Sequence, residues 1–196
     1  MPLKYRLEVC VAVALLLAAA GCRQNAEPLM KVKPLPEFTL TERSENPFGL
    51  ADLRGQVWVA DFFYTTCPGP CAALSARMSE VQSAVAAFDD VSLVSISSDP
   101  EKDTPAVLRS YAEKFKAGPR WLFLTGAKDT IYELANKGFL LSLTEDQSNA
   151  TEPITHATRL VLVDRTGTIR GYYDGTTSEG IARLLADLHR LRKETP

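Results

Sequence analysis

Apolar runs through the middle of the chain have the length and composition of buried β-strands. They span residues 57–64, 91–98 and 121–124. A near-continuous apolar run of this kind is typical of a strand that is covered on both faces of a sheet. The segments between the runs carry apolar residues at spacings of three and four, which indicates amphipathic helices. The predicted helices cover residues 72–88, 104–117 and 129–138.

The last third of the chain predicts a β-hairpin followed by a helix. Two apolar segments, at residues 160–163 and 168–173, are predicted to be strands that flank a turn containing Gly167. A helix is expected to begin at Ser178. Shorter strands are predicted at residues 38–41 and 139–143, with a polar loop over 144–152. Alternating strands and helices predict an α/β fold in which a central mixed β-sheet is flanked by helices, the late hairpin adding antiparallel pairing.

The N-terminal segment has the pattern of a secretory signal. Lys4 and Arg6 precede an unbroken apolar run of 12 residues, Val9–Ala20. This run is shorter than the ~20 residues of a membrane-spanning helix. Small residues and then Cys22 follow, which resembles the bacterial lipobox, although Ala19 stands where leucine is usual. We expect a lipoprotein signal peptide over residues 1–21, with lipid attached to Cys22; an ordinary signal peptide is the alternative.

The predicted organisation therefore has three parts: the signal peptide, a polar flexible spacer over residues 22–36, and one domain over residues 37–196. The domain is expected outside the cytosol, tethered to a membrane surface by its lipid, with inner and outer membrane both open. Thiols in such a compartment tend to be oxidised unless a reductant or a metal protects them.

Composition and charge narrow the classes of function. The chain has 196 residues, of which 45% are hydrophobic and 23% charged, which is ordinary for a globular domain. A domain of this size buries a sufficient core without a disulfide or a structural metal. The net charge is −2 without a long basic run, so binding to nucleic acid is not expected.

Cys67 and Cys71 directly follow the first apolar run, at the carboxyl end of a predicted central strand. With a helix beginning near Pro68, the two residues would share a helical face with Cα atoms about 6 Å apart. That separation permits a disulfide, and it also lets both sulfurs reach one metal ion. A helix N-terminus would lower the thiol pKa and favour the thiolate. The spacing alone leaves redox chemistry, metal binding and a structural disulfide open.

His156 is the candidate third ligand. It stands just before the strand at residues 160–163, and it would lie near the cysteines if that strand were a parallel neighbour of the strand at 57–64. Two thiolates and one imidazole suit Cu(I), and they can also hold Cu(II) or zinc. The other histidine, His189, is predicted to lie on the surface of the last helix.

The residues from about 35 to 191 resemble the Sco/SenC family of copper-binding, thioredoxin-like proteins. The resemblance rests on Phe-x-Tyr-Thr-x-Cys-Pro-x-x-Cys at 62–71, Asp-Pro-x-x-Asp-Thr-Pro at 99–105, and His156 before the late hairpin. It implies that Cys67, Cys71 and His156 bind copper and that the two thiols cycle through a disulfide. It further implies a tuning role for Asp99, whose alternative role is a turn residue, and a partner in the copper-bearing subunit of cytochrome c oxidase or another copper-accepting protein.

A thiol–disulfide oxidoreductase of the thioredoxin class is the main alternative to a metallochaperone. It would use the same fold and the same cysteines. Three residues separate the cysteines where that class has two, and residues 154–163 lack the proline that such enzymes place beside the site. A peroxiredoxin is disfavoured because Tyr64 occupies the position of its motif threonine.

Overall fold

The three central apolar runs form neighbouring parallel strands in one eight-stranded sheet. The structure is a computed structural model that describes residues 27–145, 154–156 and 158–194. The strands are β1 (Lys33–Pro34), β2 (Thr39–Glu42), β3 (Pro47–Gly49), β4 (Val57–Phe63), β5 (Val91–Ser97), β6 (Trp121–Thr125), β7 (Leu143–Glu145), β8 (Ile154–His156), β9 (Arg159–Val163) and β10 (Thr168–Asp174). The helices are α1 (Cys71–Ala84), α2 (Pro105–Lys114), α3 (Lys128–Glu133) and α4 (Ser178–Leu191), with a 3-10 turn at Leu50–Leu53 and a π-helical turn at Leu134–Gly138.

The sheet is mixed, in the order β1-β10-β9-β4-β5-β6-β2-β3. Strands β4, β5 and β6 run parallel because each pair is joined by a crossover that contains a helix. The other five strands pair antiparallel, and they include the predicted hairpin β9–β10. The α/β prediction is confirmed. Every residue of β4 and β5 is buried, as their apolar patterns predict.

Local capping explains where two of the helices begin. Thr104 accepts a hydrogen bond from the N–H of Val107, and Pro105 occupies the first position of α2. Thr177 accepts in the same way from the N–H of Gly180 at 3.0 Å and starts α4. Both starts agree with the sequence prediction to within one residue.

The expected spacer is partly bound to the domain. Lys33 and Pro34 form β1, which pairs with β10, and the buried guanidinium of Arg170 donates to the carbonyls of Leu29 and Met30. Residues 29–34 therefore contact the sheet, although the sequence predicts a flexible spacer up to residue 36, and the predicted domain boundaries stay predictions. The bonds that hold this segment come from a strand more than 130 residues away.

Two short elements differ from the prediction. The strand expected at residues 139–143 begins only at Leu143, because the π-helical turn extends to Gly138 and Leu140 has a positive φ of 54°. That strand continues through Thr144 and Glu145, which were expected in the loop, and it pairs with β8 in a separate two-stranded sheet.

Candidate metal centre

The two cysteines lie just beyond the carboxyl end of β4, where the chain turns into α1. The helix begins at Cys71 and not near Pro68, and its first bond runs from the N–H of Leu74 to the carbonyl of Pro70 at 2.8 Å. Pro70 disfavours helical geometry at the preceding residue, which explains the later start. Cys67 therefore belongs to the turn, and the expectation that both cysteines share a helical face is wrong.

The turn nevertheless brings the two side chains together. Both cysteines are in the thiol form, and the side chain of Cys67 is hydrogen-bonded to that of Cys71. Cys71 is 1% exposed, whereas Cys67 is only half-buried. The N–H of Cys67 donates to the carbonyl of Tyr64 at 3.3 Å, which closes the first part of the turn. One cysteine of the pair is thus partly exposed, and the other is enclosed.

Burial dominates the electrostatics of the enclosed sulfur. It raises the pKa of the Cys71 thiol far above its usual range, the hydrogen bond with Cys67 acts in the same direction, and a backbone hydrogen bond at Tyr64 opposes both. The expectation that the helix N-terminus lowers the pKa is therefore wrong for Cys71. A metal ion or an oxidant that engages this sulfur must displace a proton.

The neighbouring strand β9 runs antiparallel to β4, contrary to the parallel arrangement expected from the sequence. Ala60 pairs with Val161 and Trp58 with Val163, so β9 starts beside the end of β4 that leads into the cysteine turn. A parallel β9 would instead begin at the far end of β4. The parallel arrangement from which His156 was predicted to lie near the cysteines is therefore wrong. The antiparallel direction of β9 nevertheless places its first residues at the end of β4 that leads to the cysteines.

His156 is described only through its backbone. It lies in β8, where it pairs with Leu143 of β7. Its side chain lies outside the described residues, as does Cys22, so the predicted roles of His156 and Cys22 remain predictions. Within the described residues, no set of three histidine, cysteine or acidic side chains is arranged to hold a metal ion.

Asp99 is buried in the turn after β5, where its carboxylate pairs with Lys102 at 2.9 Å. Its N–H donates to the hydroxyl of Ser97 at 3.1 Å, and its carbonyl accepts from the N–H of Asp103 at 2.8 Å. These contacts match the turn role that was the alternative for this residue. Its predicted tuning of the site remains a prediction.

Two buried carboxyls near the ends of the central strands were not singled out from the sequence. Asp61 is fully buried within β4, and burial raises its pKa to about 7 against the opposing effect of a hydrogen bond from Ser95. Asp103 is also fully buried, and burial raises its pKa as well. The signal for Asp61 was present, because an acidic residue inside a buried apolar run needs an explanation.

The family model of SCO1/SenC matches residues 28–193, nearly the whole described chain. The chain belongs to the SCO1/SenC family. A SCO1/SenC family lipoprotein from Bacillus anthracis is similar in structure, with a TM-score of 0.76 and 30% identity over 82% of this chain and 96% of that one. This likeness confirms the thioredoxin-like fold that the resemblance implied.

Two further SCO1/SenC structures bear on chemistry. BsSco, described as having a disulfide switch and as a member of the Sco family of cytochrome c oxidase assembly proteins, has a TM-score of 0.76 and 26% identity, covering 86% of this chain and 100% of its own. ScoI of Bradyrhizobium japonicum, solved with copper bound, has a TM-score of 0.69 and 26% identity, covering 81% of this chain and 99% of its own.

Among the residues described here, no helix is long and apolar enough to cross a membrane.

Proposed function

We propose that this SCO1/SenC protein is an extracytoplasmic copper chaperone that binds copper through Cys67, Cys71 and His156. The observation that carries the proposal is the pair of thiols that are hydrogen-bonded to each other just past the end of a central strand. Membership of the family and the copper-bound ScoI structure support it. Thiolate sulfur is a soft ligand that favours Cu(I) over harder divalent ions, so the donor set fits copper.

The difference in exposure between the two sulfurs assigns them different tasks. Cys67 is partly exposed, so it is the ligand that a partner protein reaches first during transfer. Cys71 is enclosed and keeps its proton until a metal displaces it. The imidazole of His156 would complete the set. No substrate is turned over in this exchange, because copper passes from one set of ligands to another.

The same thiols support a redox step. Cys67 and Cys71 form a disulfide by giving two protons and two electrons to a disulfide of the partner protein, which becomes two thiols, and the oxidised pair no longer offers thiolates to copper. The disulfide switch described for BsSco supports this part of the proposal. The proposed use is delivery of copper to the copper-bearing subunit of cytochrome c oxidase, or reduction of a disulfide of that subunit to two thiols, in line with the assembly role of the Sco family to which BsSco belongs.

Attachment to a membrane through a lipid on Cys22 is the proposed localisation, on the extracytoplasmic side. The signal pattern of residues 1–21 and the lipoprotein relative from Bacillus anthracis support it. Incorporation of labelled fatty acid into the full chain, with Cys22→Ser as the control, tests the anchor. Equal labelling of the variant would refute it.

Anaerobic titration of the reduced protein with Cu(I), in competition with a chromophoric chelator, tests the copper site. We expect one equivalent to bind, and His156→Ala to weaken binding by at least about tenfold, since even indirect supporting residues of metal sites have effects of that size. His189→Ala is the matched control, because His189 lies on α4 and its ring packs against Phe88, away from the cysteine turn. Unchanged affinity and stoichiometry in His156→Ala would exclude the three-ligand site.

The thiol–disulfide oxidoreductase alternative is favoured by the arrangement of one exposed and one enclosed thiol in mutual contact. Reduction of a model disulfide protein distinguishes it from the chaperone. Efficient turnover that is abolished in Cys67→Ser and unaffected in His156→Ala would replace the chaperone proposal with the enzymatic one.

A further inference from the structure

We infer that Asp103 is a positioning residue that holds the cysteine turn in the shape required for the dithiol chemistry. This inference rests on the proposed function of that turn. Asp103 is fully buried, and its carboxylate reaches across from the end of the β5–α2 turn to the beginning of the cysteine turn. One oxygen accepts the hydroxyl of Thr65 at 2.5 Å. The other accepts the N–H of Thr65 at 3.1 Å and the hydroxyl of Ser97 at 2.6 Å.

The sheet explains why these groups meet. β4 and β5 are parallel neighbours in which Phe63 pairs with Ser97, so their carboxyl ends lie side by side. The chain after β5 folds back on itself, with the N–H of Asp103 bonded to the carbonyl of Asp99, and this turn directs the carboxylate toward Thr65. The N–H and the hydroxyl of Ser98 both donate to the carbonyl of Phe63, which joins the two strand ends a second time.

Thr65 lies only two residues before Cys67, so its hydrogen bonds with Asp103 fix the backbone that leads to Cys67. A carboxylate accepts from three donors at once in this arrangement, whereas an amide in the same place offers one acceptor oxygen and an additional donor group. The segment from Cys67 to Pro70 is the part of the turn that Asp103 does not contact. Holding one side of the dithiol fixed raises the effective concentration of one sulfur at the other, which favours both chelation and disulfide formation.

A substitution with a matched control separates positioning from general stability. Asp103→Asn keeps the size of the side chain and removes one acceptor. Asp164→Asn is the control, because Asp164 is also a buried carboxylate with several donors, but it lies in the β9–β10 turn, at the opposite end of β4 from the cysteines. Its donors are the N–H and hydroxyl of Thr166, the N–H of Thr168 and the guanidinium of Arg170.

Three quantities are measured for each full-length reduced variant: the free energy of unfolding in urea, the Cu(I) affinity, and the equilibrium of the dithiol with glutathione disulfide. In that equilibrium Cys67 and Cys71 lose two protons and two electrons to form their disulfide, and glutathione disulfide becomes two glutathione thiols. We expect both variants to lose stability. We expect only Asp103→Asn to lose about tenfold in Cu(I) affinity and several-fold in the oxidation equilibrium constant.

Variants of Thr65 keep the inference testable if Asp103→Asn does not fold. Thr65→Val removes the hydroxyl donor and should lower both dithiol constants, whereas Thr65→Ser retains both donors and should restore them. Constants within about twofold of wild type in Asp103→Asn and Thr65→Val, or equal losses in Asp164→Asn, would overturn the inference. If the wild type binds no Cu(I), the proposed function fails, and the glutathione equilibrium alone decides the role of Asp103.

Discussion

The buried carboxyl of Asp61 makes the stability of the protein depend on pH in a direction opposite to that of most acidic residues. One oxygen accepts the hydroxyl of Ser95 at 2.5 Å, and that hydroxyl oxygen in turn accepts from the indole N–H of Trp121 at 2.9 Å. The second oxygen is buried and has no hydrogen-bond partner among the described residues. Ionisation within β4 is therefore poorly compensated, and the test is Asp61→Asn.

The sign and size of this pH dependence follow from the pKa of Asp61. Burial raises that pKa from the ordinary value of 3.8 to about 7, and the hydrogen bond from Ser95 acts in the opposite direction. Below about pH 4 the carboxyl is protonated in both states and contributes nothing to the difference. Between pH 4 and 7 the unfolded chain gives up the proton while the folded protein keeps it, so the free energy of unfolding falls as pH rises. At about 1.4 kcal/mol per pH unit, the total loss is about 4 kcal/mol at pH 7 and above.

Urea unfolding of the wild type and Asp61→Asn at each pH from 4 to 8, with the thiols kept reduced, measures this difference. We expect the free energy of unfolding of Asp61→Asn, relative to that of the wild type, to rise steadily up to about pH 7 and to level off above it. The contributions of other titrating groups cancel in this difference, because both proteins contain them. Asp89→Asn, at an exposed carboxyl, should leave the shape of the wild-type curve unchanged. Parallel curves for wild type and Asp61→Asn would refute the argument.

Two further substitutions test the supports of the site. The side chain of Asn136 is hydrogen-bonded to both the N–H and the carbonyl of Leu143 at 3.0 Å, and Leu143 pairs with His156. Asn136→Ala should therefore lower the free energy of unfolding by about 1–3 kcal/mol and speed hydrogen exchange in β7 and β8. Unchanged exchange would contradict this. A Cβ on Gly175 would lie 2.2 Å from Cδ1 of Leu74, so Gly175→Ala should displace the first turn of α1 and cost about 1–3 kcal/mol; an unchanged melting temperature would contradict this.

The central strands could be predicted from sequence because their apolar runs are long and continuous. Their parallel pairing follows from the helical crossovers between them. The direction of β9 could not be predicted in the same way. The four-residue connection at 164–167 fixes β10 against β9, but the direction of β9 against β4 depends on the path of the chain after β6, and no local pattern specifies that path.

Contacts between distant residues explain the other differences. The segment at 29–34 has the polar, proline-containing composition of a linker, and it is held by the guanidinium of Arg170, the pairing with β10 and a hydrogen bond from the N–H of Leu29 to Glu194. Asp103 stands in a motif that was recognised, yet its partner Thr65 lies 38 residues earlier. In each case the residue type was visible in the sequence and its partner was not.

The contact between the two cysteines could be predicted from the sequence, whereas the pKa of Cys71 could not. The cysteines were identified from spacing and from their place after a strand, and the structure joins them even though Cys67 precedes the helix. The helix N-terminus was expected to favour the thiolate, but Cys71 is so fully enclosed that burial outweighs it. A proton on the sulfur of Cys71 makes this thiol a weak nucleophile, since the thiolate is the reactive form. In the proposed copper site, a metal ion bound by both sulfurs would replace that proton, so burial lowers the reactivity of the thiol without preventing coordination.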